Sequence, residues 1–152
     1  MTPQSFISAI SPAAVASSQK TKIPASFTVA EAALESGWGA SLLAQNGFNL
    51  FGVKADPSWT GPVLMMETTE YVRGIPVKQM AKWRRYASWL ESINDHARFL
   101  LDNPRYEPAF EFSNNGILFG REIANCGYAT DPAYGDKIAE IITEHNLESL
   151  DG

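Results

Sequence analysis

Residues 1–47 are dominated by small and apolar side chains that recur at the three- and four-residue spacing of helices with one buried face. Thr2 and Ser11 are each followed by proline, an order typical of helix starts, so we predict two short helices before residue 22. Pro24 opens a third predicted helix, in which apolar residues continue at helical spacing. The first third of the chain is therefore predicted to be helical.

The middle of the chain has a different pattern. Two stretches, 62–72 and 75–86, are rich in Val, Met, Thr, Tyr and Trp, and Arg73-Gly74 separates them. Residues that favour strands on both sides of a glycine turn predict a β-hairpin. A hairpin alone is marginally stable in water, so it must lean on the helices or on a ligand. Such a lobe would form one wall of a cleft.

Helical spacing returns after the hairpin. Ser88, followed three residues later by Glu91, forms a capping box that predicts a helix running to about residue 102. Two further helices are predicted near 116–125 and 132–146.

These elements predict the α+β fold class, with a mostly helical body and a small β-hairpin lobe beside a groove. We expect a single catalytic domain over residues 1–152. Its parts would be a helical N-terminal part (1–47), the hairpin lobe (about 62–86) and the C-terminal helices (88–147).

Composition and charge narrow the function classes. The chain has 152 residues, of which 45% are hydrophobic, enough to bury a core. The formal net charge of −5 and the pI near 5.0 argue against nucleic acid as a partner, because phosphate binding needs a basic surface. The short basic cluster at 82–85 is too small to change that expectation. No apolar run has the length of a membrane span, so no stable membrane insertion is expected.

Metal and cofactor chemistry are not expected. The single cysteine, Cys126, excludes an internal disulfide. The two histidines, His96 and His145, are far apart in sequence and have no cysteine or paired acids at ligand spacing. We interpret both as surface or core residues and predict no metal and no cofactor.

Glu31 and Glu35 are the only ionisable residues between Pro24 and Gly39. Desolvation in such apolar surroundings raises the pKa of a glutamate and keeps it protonated near neutral pH. Glycosidic cleavage needs a protonated carboxyl, because the leaving oxygen must receive a proton. The two residues share a helix face, so their repulsion would raise one pKa further. Two solvated surface glutamates would fit the same spacing.

Six short motifs occur in a fixed order over residues 20–145. They are Ala33-Leu34-Glu35-Ser36-Gly37-Trp38-Gly39, Asn49-Leu50-Phe51-Gly52-Val53-Lys54, Thr68-Thr69-Glu70-Tyr71, Trp83-Arg84-Arg85-Tyr86, Asn103-Pro104-Arg105-Tyr106 and Gly127-Tyr128-Ala129-Thr130-Asp131-Pro132-Ala133-Tyr134. Together they resemble the glucosaminidases of glycoside hydrolase family 73. The resemblance implies a lysozyme-like fold with the hairpin flanking an active-site groove. It also implies endo-β-N-acetylglucosaminidase activity on bacterial peptidoglycan, which lyses the cell wall.

The resemblance further implies three catalytic roles. Glu35 matches the general acid, Glu70 the second carboxylate on the hairpin, and Tyr128 the tyrosine near the cleaved bond. Strand alternation places Glu67 and Glu70 on opposite faces, so only one of them can face the cleft unless a bulge intervenes. Assistance by the substrate's own acetamido group could replace the second carboxylate.

Four residues are candidates for substrate binding: Trp59, Phe51, Asn49 and Tyr134. Trp59 follows a turn in a loop and is the best platform for a sugar ring. Phe51 could also stack on a sugar, although its position favours core packing. Asn49 is expected to bond loop backbone near Glu35, and Tyr134 ends the last of the motifs.

Two other functions fit the same sequence. A lytic transglycosylase or a muramidase shares the groove and the Glu-Ser motif, and product analysis would separate these chemistries. A non-catalytic wall-binding module would also keep the groove, but it has no need of a poised acid such as Glu35.

Delivery is a further expectation. The N-terminus lacks the basic segment and unbroken apolar core of a signal peptide. We therefore expect synthesis in the cytoplasm and action in the periplasm or cell wall, after delivery by phage lysis machinery or by a secretion system. An antibacterial toxin delivered by type VI secretion would imply a cognate immunity protein that blocks the cleft.

Overall fold

The computed structural model describes every residue from Met1 to Gly152. Helices form most of the structure, and the only sheet has two strands. In chain order the elements are α1 (Pro3–Thr21), α2 (Ala25–Ser36), α3 (Leu42–Gly47), β1 (Val63–Val72), β2 (Ile75–Arg84), α4 (Trp89–Asp102), a 3₁₀ segment (Pro104–Phe112), α5 (Gly116–Asn125), α6 (Tyr134–Glu144) and a second 3₁₀ segment (Leu147–Asp151).

The N-terminal segment is one helix, and the prediction of two short helices is wrong. Thr2 caps α1 by accepting a hydrogen bond from the Ser5 N–H at 3.1 Å, and Pro12 lies inside the helix. An interior proline removes a backbone hydrogen bond and costs about 3 kcal/mol. The helix continues because its buried face, with Phe6 on one side of the proline and Ala14 on the other, packs against α2 and α4 along its length.

Helix α2 lies within the core, and ten of its twelve residues are buried. Its small side chains allow α1, α5 and α6 to pack against it. Gly37 ends the helix in the left-handed conformation (φ 58°), as the sequence predicts. The last turn of α2 leaves the core there, which brings Glu35 to the surface.

The other end of α2 is capped by a residue from the C-terminus of the chain. Pro24, at the capping position, makes no side-chain cap. Instead, the Asp151 carboxylate accepts hydrogen bonds from the Ser26 N–H at 2.9 Å and from the Ser26 hydroxyl at 2.5 Å. A negative charge at a helix N-terminus is stabilising. The last 3₁₀ segment therefore secures the helix that carries Glu35.

The predicted hairpin is confirmed. Strands β1 and β2 pair in antiparallel register over their full lengths without a bulge. Arg73 and Gly74 form the turn, and both have positive φ (54° and 78°), which matches the twist of a tight hairpin.

The hairpin is anchored at its base and exposed at its tip. At the base, the Arg84 N–H donates to the Val53 carbonyl at 3.1 Å, and the Tyr86 N–H donates to the Gly47 carbonyl at 2.8 Å. Residues 71–80, at the tip, are all exposed. The contacts of the hairpin with the rest of the protein are therefore concentrated at its base.

The C-terminal helices follow the predicted order with one shift. Helix α6 begins at Tyr134, two residues after the predicted start, because Asp131 accepts the Ala133 N–H at 2.9 Å in a turn that precedes the helix. Neither 3₁₀ segment was predicted. No helix in the structure is both long enough and apolar enough to cross a membrane.

Candidate active site

Glu35 lies in the last turn of α2 with its side chain at the surface, and it makes no hydrogen bond or ion pair within the protein. Desolvation by the surrounding residues and the negative charge of Glu31 raise its pKa to about 7, although His96 acts in the opposite direction. An exposed carboxyl with this pKa can carry a proton near neutral pH and deliver it to a bound molecule.

Glu31 lies one helical turn earlier and is only 1% exposed. Its Oε1 is 3.0 Å from His96 Nε2, and its Oε2 accepts a hydrogen bond from the Tyr134 hydroxyl at 2.5 Å. Burial acts to raise the pKa of Glu31. The positive charge of His96 and the hydrogen bonds from His96, Tyr134 and Tyr128 outweigh burial and lower that pKa. Glu31 is therefore an ionised carboxylate inside the core.

His96, on α4, links Glu31 to Tyr128. Its Nε2 is 3.0 Å from Glu31 Oε1 and 3.0 Å from the Tyr128 hydroxyl. A carboxylate can only accept, so Nε2 must carry a hydrogen and donate it. The imidazole ring also stacks on Phe51, with centroids 4.2 Å apart and planes within 13°. Packing and hydrogen bonding together fix the orientation of this ring.

Tyr128 belongs to the loop between α5 and α6. Burial and the negative charge of Glu31 raise the pKa of its hydroxyl, so the phenol stays protonated. Because His96 Nε2 already carries a hydrogen, the proton of the Tyr128 hydroxyl must be donated elsewhere. Glu31 is within reach as one acceptor, and a ligand oxygen in the adjoining pocket would be another.

That pocket has a volume of about 280 Å³ and lies between α4, the loop after α3 and the base of the hairpin. We call it the His96 pocket. Its lining residues are Phe51, Gly52, Val53, Asp56, Arg84, Asp95, His96, Phe99 and Tyr128. Aromatic side chains and a few polar groups are typical of a ligand site.

Asp95 joins two residues of the Trp-Arg-Arg-Tyr motif. Its Oδ2 accepts hydrogen bonds from Arg84 Nη1 at 2.8 Å and from the Tyr86 hydroxyl at 2.6 Å. The Arg84 guanidinium also lies over the Trp59 ring, 4.9 Å from the centroid. The arginine and tyrosine of this motif therefore tie the hairpin base to α4.

Glu70 lies on the inner face of β1, and the regular register places Glu67 on the opposite face. Its Oε1 is 2.9 Å from Lys54 Nζ, and both side chains are partly exposed. Glu67 is more exposed and lies 3.8 Å from Lys78. The structure therefore distinguishes the two hairpin glutamates, but it does not bring Glu70 into contact with Glu35.

The four candidate substrate-binding residues occupy different environments. Trp59 lines a second pocket, of about 430 Å³, and Phe51 lines the His96 pocket. Asn49 is buried, and its side chain bonds the backbone of Val53 and the carbonyl of Arg84 at 2.9–3.1 Å. Tyr134 is 3% exposed and donates to Glu31, so its hydroxyl lies beneath the site and does not line it.

Sequence reasoning missed the parts played by His96 and Asp95. Both lie on α4, which follows the hairpin directly, but His96 is 65 residues from its partner Glu31. The sequence does carry a signal for His96. On an amphipathic helix of this kind, Ser92 and His96, four residues apart, fall on the buried face. A polar residue on a buried helix face must find a partner, and Glu31 is that partner for His96.

Comparison with known proteins shows the family. Residues 11–147 match the model of the glucosaminidase family, described as mannosyl-glycoprotein endo-beta-N-acetylglucosaminidase. The chain is 38% identical over 151 residues to the peptidoglycan hydrolase FlgJ of Vibrio parahaemolyticus, an alignment that covers 97% of this chain and 48% of the relative. The chain thus spans about half the length of that curated relative.

Solved structures show the same likeness. The C-terminally truncated glycoside hydrolase domain of Salmonella typhimurium FlgJ has a TM-score of 0.82 and 38% identity, covering 95% of this chain and 98% of that one. The catalytic domain of the Listeria monocytogenes autolysin Auto has a TM-score of 0.88 and 31% identity, with coverage of 97% and 86%. The predicted lysozyme-like α+β fold is confirmed as that of glycoside hydrolase domains. The chain belongs to the glucosaminidase family.

Proposed function

We propose that this chain is an endo-β-N-acetylglucosaminidase that hydrolyses the glycan strands of bacterial peptidoglycan, with Glu35 as the general acid. Family membership supports the reaction class. The observation that carries the proposal is the surface position of Glu35 at the end of a buried helix, with its pKa raised to about 7. Such a group holds a proton near neutral pH and can release it to the glycosidic oxygen.

Glu70 is the proposed second carboxylate. It lies on the inner face of the hairpin and pairs with Lys54 at 2.9 Å. In an inverting enzyme a second carboxylate activates water across a gap of roughly 6.5–9.5 Å from the acid. The hairpin, anchored at its base and exposed at its tip, would act as a flap that carries Glu70 toward Glu35 when glycan binds.

Tyr128 would act beside the acid. Its hydroxyl is held in protonated form, and its ring lines the His96 pocket. In the proposed complex this hydroxyl donates a hydrogen bond to the substrate near the bond that is cleaved. Phe51 and Trp59 would supply apolar surface, each in its own pocket, whereas Asn49 would act only by holding the loop.

A lytic transglycosylase is the second candidate, and the pairing of Glu70 with Lys54 favours it. Because Glu70 is held by a lysine in the free protein, Glu35 is the unpaired one of the two candidate catalytic carboxylates. A transglycosylase needs a single acid and base and uses no water, so it releases anhydro-muramic ends.

Mass spectrometry of muropeptides released from purified sacculi tests these proposals together. The glucosaminidase proposal expects N-acetylglucosamine at the new reducing end. N-acetylmuramic acid at that end would indicate a muramidase, and anhydro-muramic ends would indicate a transglycosylase. Binding to sacculi without release of muropeptides would indicate a non-catalytic wall-binding module.

Delivery and partners remain predictions. A site of action in the periplasm or cell wall is supported by the name of one relative, a peptidoglycan hydrolase. Export by phage lysis machinery or as a type VI effector, and blockage of the cleft by an immunity protein, can be tested by co-expression with the neighbouring gene. If the chain is a toxin with an immunity partner, cells should lyse only when its periplasmic form is made without that partner.

A further inference from the structure

Glu31 is the only carboxylate among the buried residues, and the proposed function gives it no part in the reaction. A buried charge is costly unless it is paired and hydrogen-bonded. Here the partners come from three different parts of the chain: His96 from α4, Tyr134 from α6 and Tyr128 from the loop between α5 and α6. Such an arrangement holds a negative charge at a fixed place.

The fixed place is directly behind the proposed acid. Glu31 and Glu35 are four residues apart on α2, a spacing that puts their Cβ atoms about 5–6 Å apart on one helix face. Little water separates them, because Glu31 is only 1% exposed. A like charge at this range opposes ionisation of Glu35.

The same partners also orient Tyr128. His96 Nε2 donates to Glu31, and that fixes which atom of the imidazole carries the hydrogen. With Nε2 unable to accept, the Tyr128 hydroxyl 3.0 Å away keeps its own proton available for another acceptor. The buried carboxylate therefore reaches both residues that the proposed mechanism uses.

We propose that Glu31 is a positioning residue, whose buried charge, held by His96 and Tyr134, keeps the proton on Glu35 and directs the hydroxyl of Tyr128 toward the substrate. This inference rests on the proposed function of Glu35. Glu31 itself does not touch the substrate, since its carboxylate is buried and hydrogen-bonded to His96 and Tyr134.

The groups that face Glu35 act with opposite signs. Glu31, from the same helix, raises the pKa of Glu35, and His96, from α4, lowers it. Tyr128 and Tyr134 are the other titratable groups close enough to interact, and both remain neutral because burial and the charge of Glu31 raise their pKa values. Among these groups, Glu31 is the one whose charge raises the pKa of Glu35, so a change in that pKa reports on Glu31 separately from any change in stability.

The test follows the alkaline limb of kcat for sacculus digestion, together with a ¹³C NMR titration of the Glu35 carboxyl in the free protein. Glu31→Gln keeps the side-chain size and removes the charge. It should move both the alkaline limb and the NMR midpoint to lower pH by about one unit. Glu31→Asp keeps a negative charge at this position of α2 and should leave both midpoints near their wild-type values.

Glu140→Gln is the matched control, because it removes one carboxylate from the exposed face of α6. It should move neither midpoint. Circular dichroism of each variant shows whether it has folded. If Glu31→Gln does not fold, the NMR titration of the wild-type protein still tests the proposal, because Glu31 must be ionised at the pH values where Glu35 titrates.

The outcomes separate the two claims. A wild-type protein that releases no muropeptides contradicts the proposed function. A wild-type protein that is active, with the Glu35 midpoint unmoved in Glu31→Gln or with Glu31 still protonated where Glu35 titrates, overturns the positioning role and leaves the function standing. A shift to lower pH in Glu31→Gln that Glu31→Asp does not show supports it.

Discussion

Glu31 and Glu35 lie one turn apart on the same helix face, yet one side chain is buried and hydrogen-bonded to His96 and Tyr134, and the other is exposed without a partner. The difference arises because α2 leaves the core at its last turn, where Gly37 ends the helix. One carboxylate therefore stays ionised within the core while the pKa of the other rises to about 7. Glu31 and Glu35 are thus suited to two different roles, although they lie on the same apolar helix.

The first prediction concerns Glu70. Glu70→Gln should lower kcat on sacculi by about 100-fold, the usual scale for loss of a general base. The matched control is Glu67→Gln, three residues earlier on the outer face of the same strand, which should keep near-wild-type kcat. A fully active Glu70→Gln enzyme would remove the two-carboxylate mechanism in favour of assistance by the substrate, and Glu35 would keep its role.

The second prediction concerns the contact between Asp151 and Ser26. Asp151→Ala removes both hydrogen bonds at the start of α2 and should lower the free energy of unfolding by roughly 1–2 kcal/mol. Thermal unfolding should then begin a few degrees lower. Glu148→Ala, at an exposed position of the same 3₁₀ segment, is the control and should leave Tm unchanged. Equal Tm values for the two variants would show that the cap contributes nothing.

The third prediction is a dependence of stability on pH. The pKa of Glu35 is about 7 in the folded protein and near 4.5 in an ordinary setting. The folded state therefore binds more protons than the unfolded state between these values, and the contribution of Glu35 to stability falls as pH rises through that window. Glu35→Gln has no carboxyl at this position, so its stability does not fall for this reason.

The difference in Tm between Glu35→Gln and wild type should thus grow from about pH 4.5 to pH 7 and then level off. Titrating groups that do not interact with Glu35 behave alike in both proteins, so their effects cancel in the difference. A constant difference across that range would mean that the pKa of Glu35 is not raised in the folded protein.

Local patterns predicted much of the fold. The strand-favouring stretches on either side of Arg73-Gly74 predicted the hairpin, and Ser88 with Glu91 predicted α4. The sequence was less informative where contacts between residues far apart in the chain decide the local structure. Helix α1 continues through Pro12 because packing against α2 and α4 outweighs the local cost of the proline.

The same division applies to the site. Glu35 was singled out by its motif and by the apolar residues next to it in the sequence, and its role stays a prediction. The partners of Glu31 could not, because His96 is 65 residues away and Tyr134 is 103 residues away. Only the fold shows that Tyr134 is buried and donates a hydrogen bond to Glu31.

The central claim is that Glu35 supplies the proton for glycosidic cleavage, and it is tested most directly by the rate at which Glu35→Gln releases muropeptides from purified sacculi. The amide keeps the size of the side chain and loses the transferable proton. The account predicts that release falls by at least about 100-fold while the circular dichroism spectrum and binding to sacculi are kept. Release at a rate near that of the wild type would contradict it.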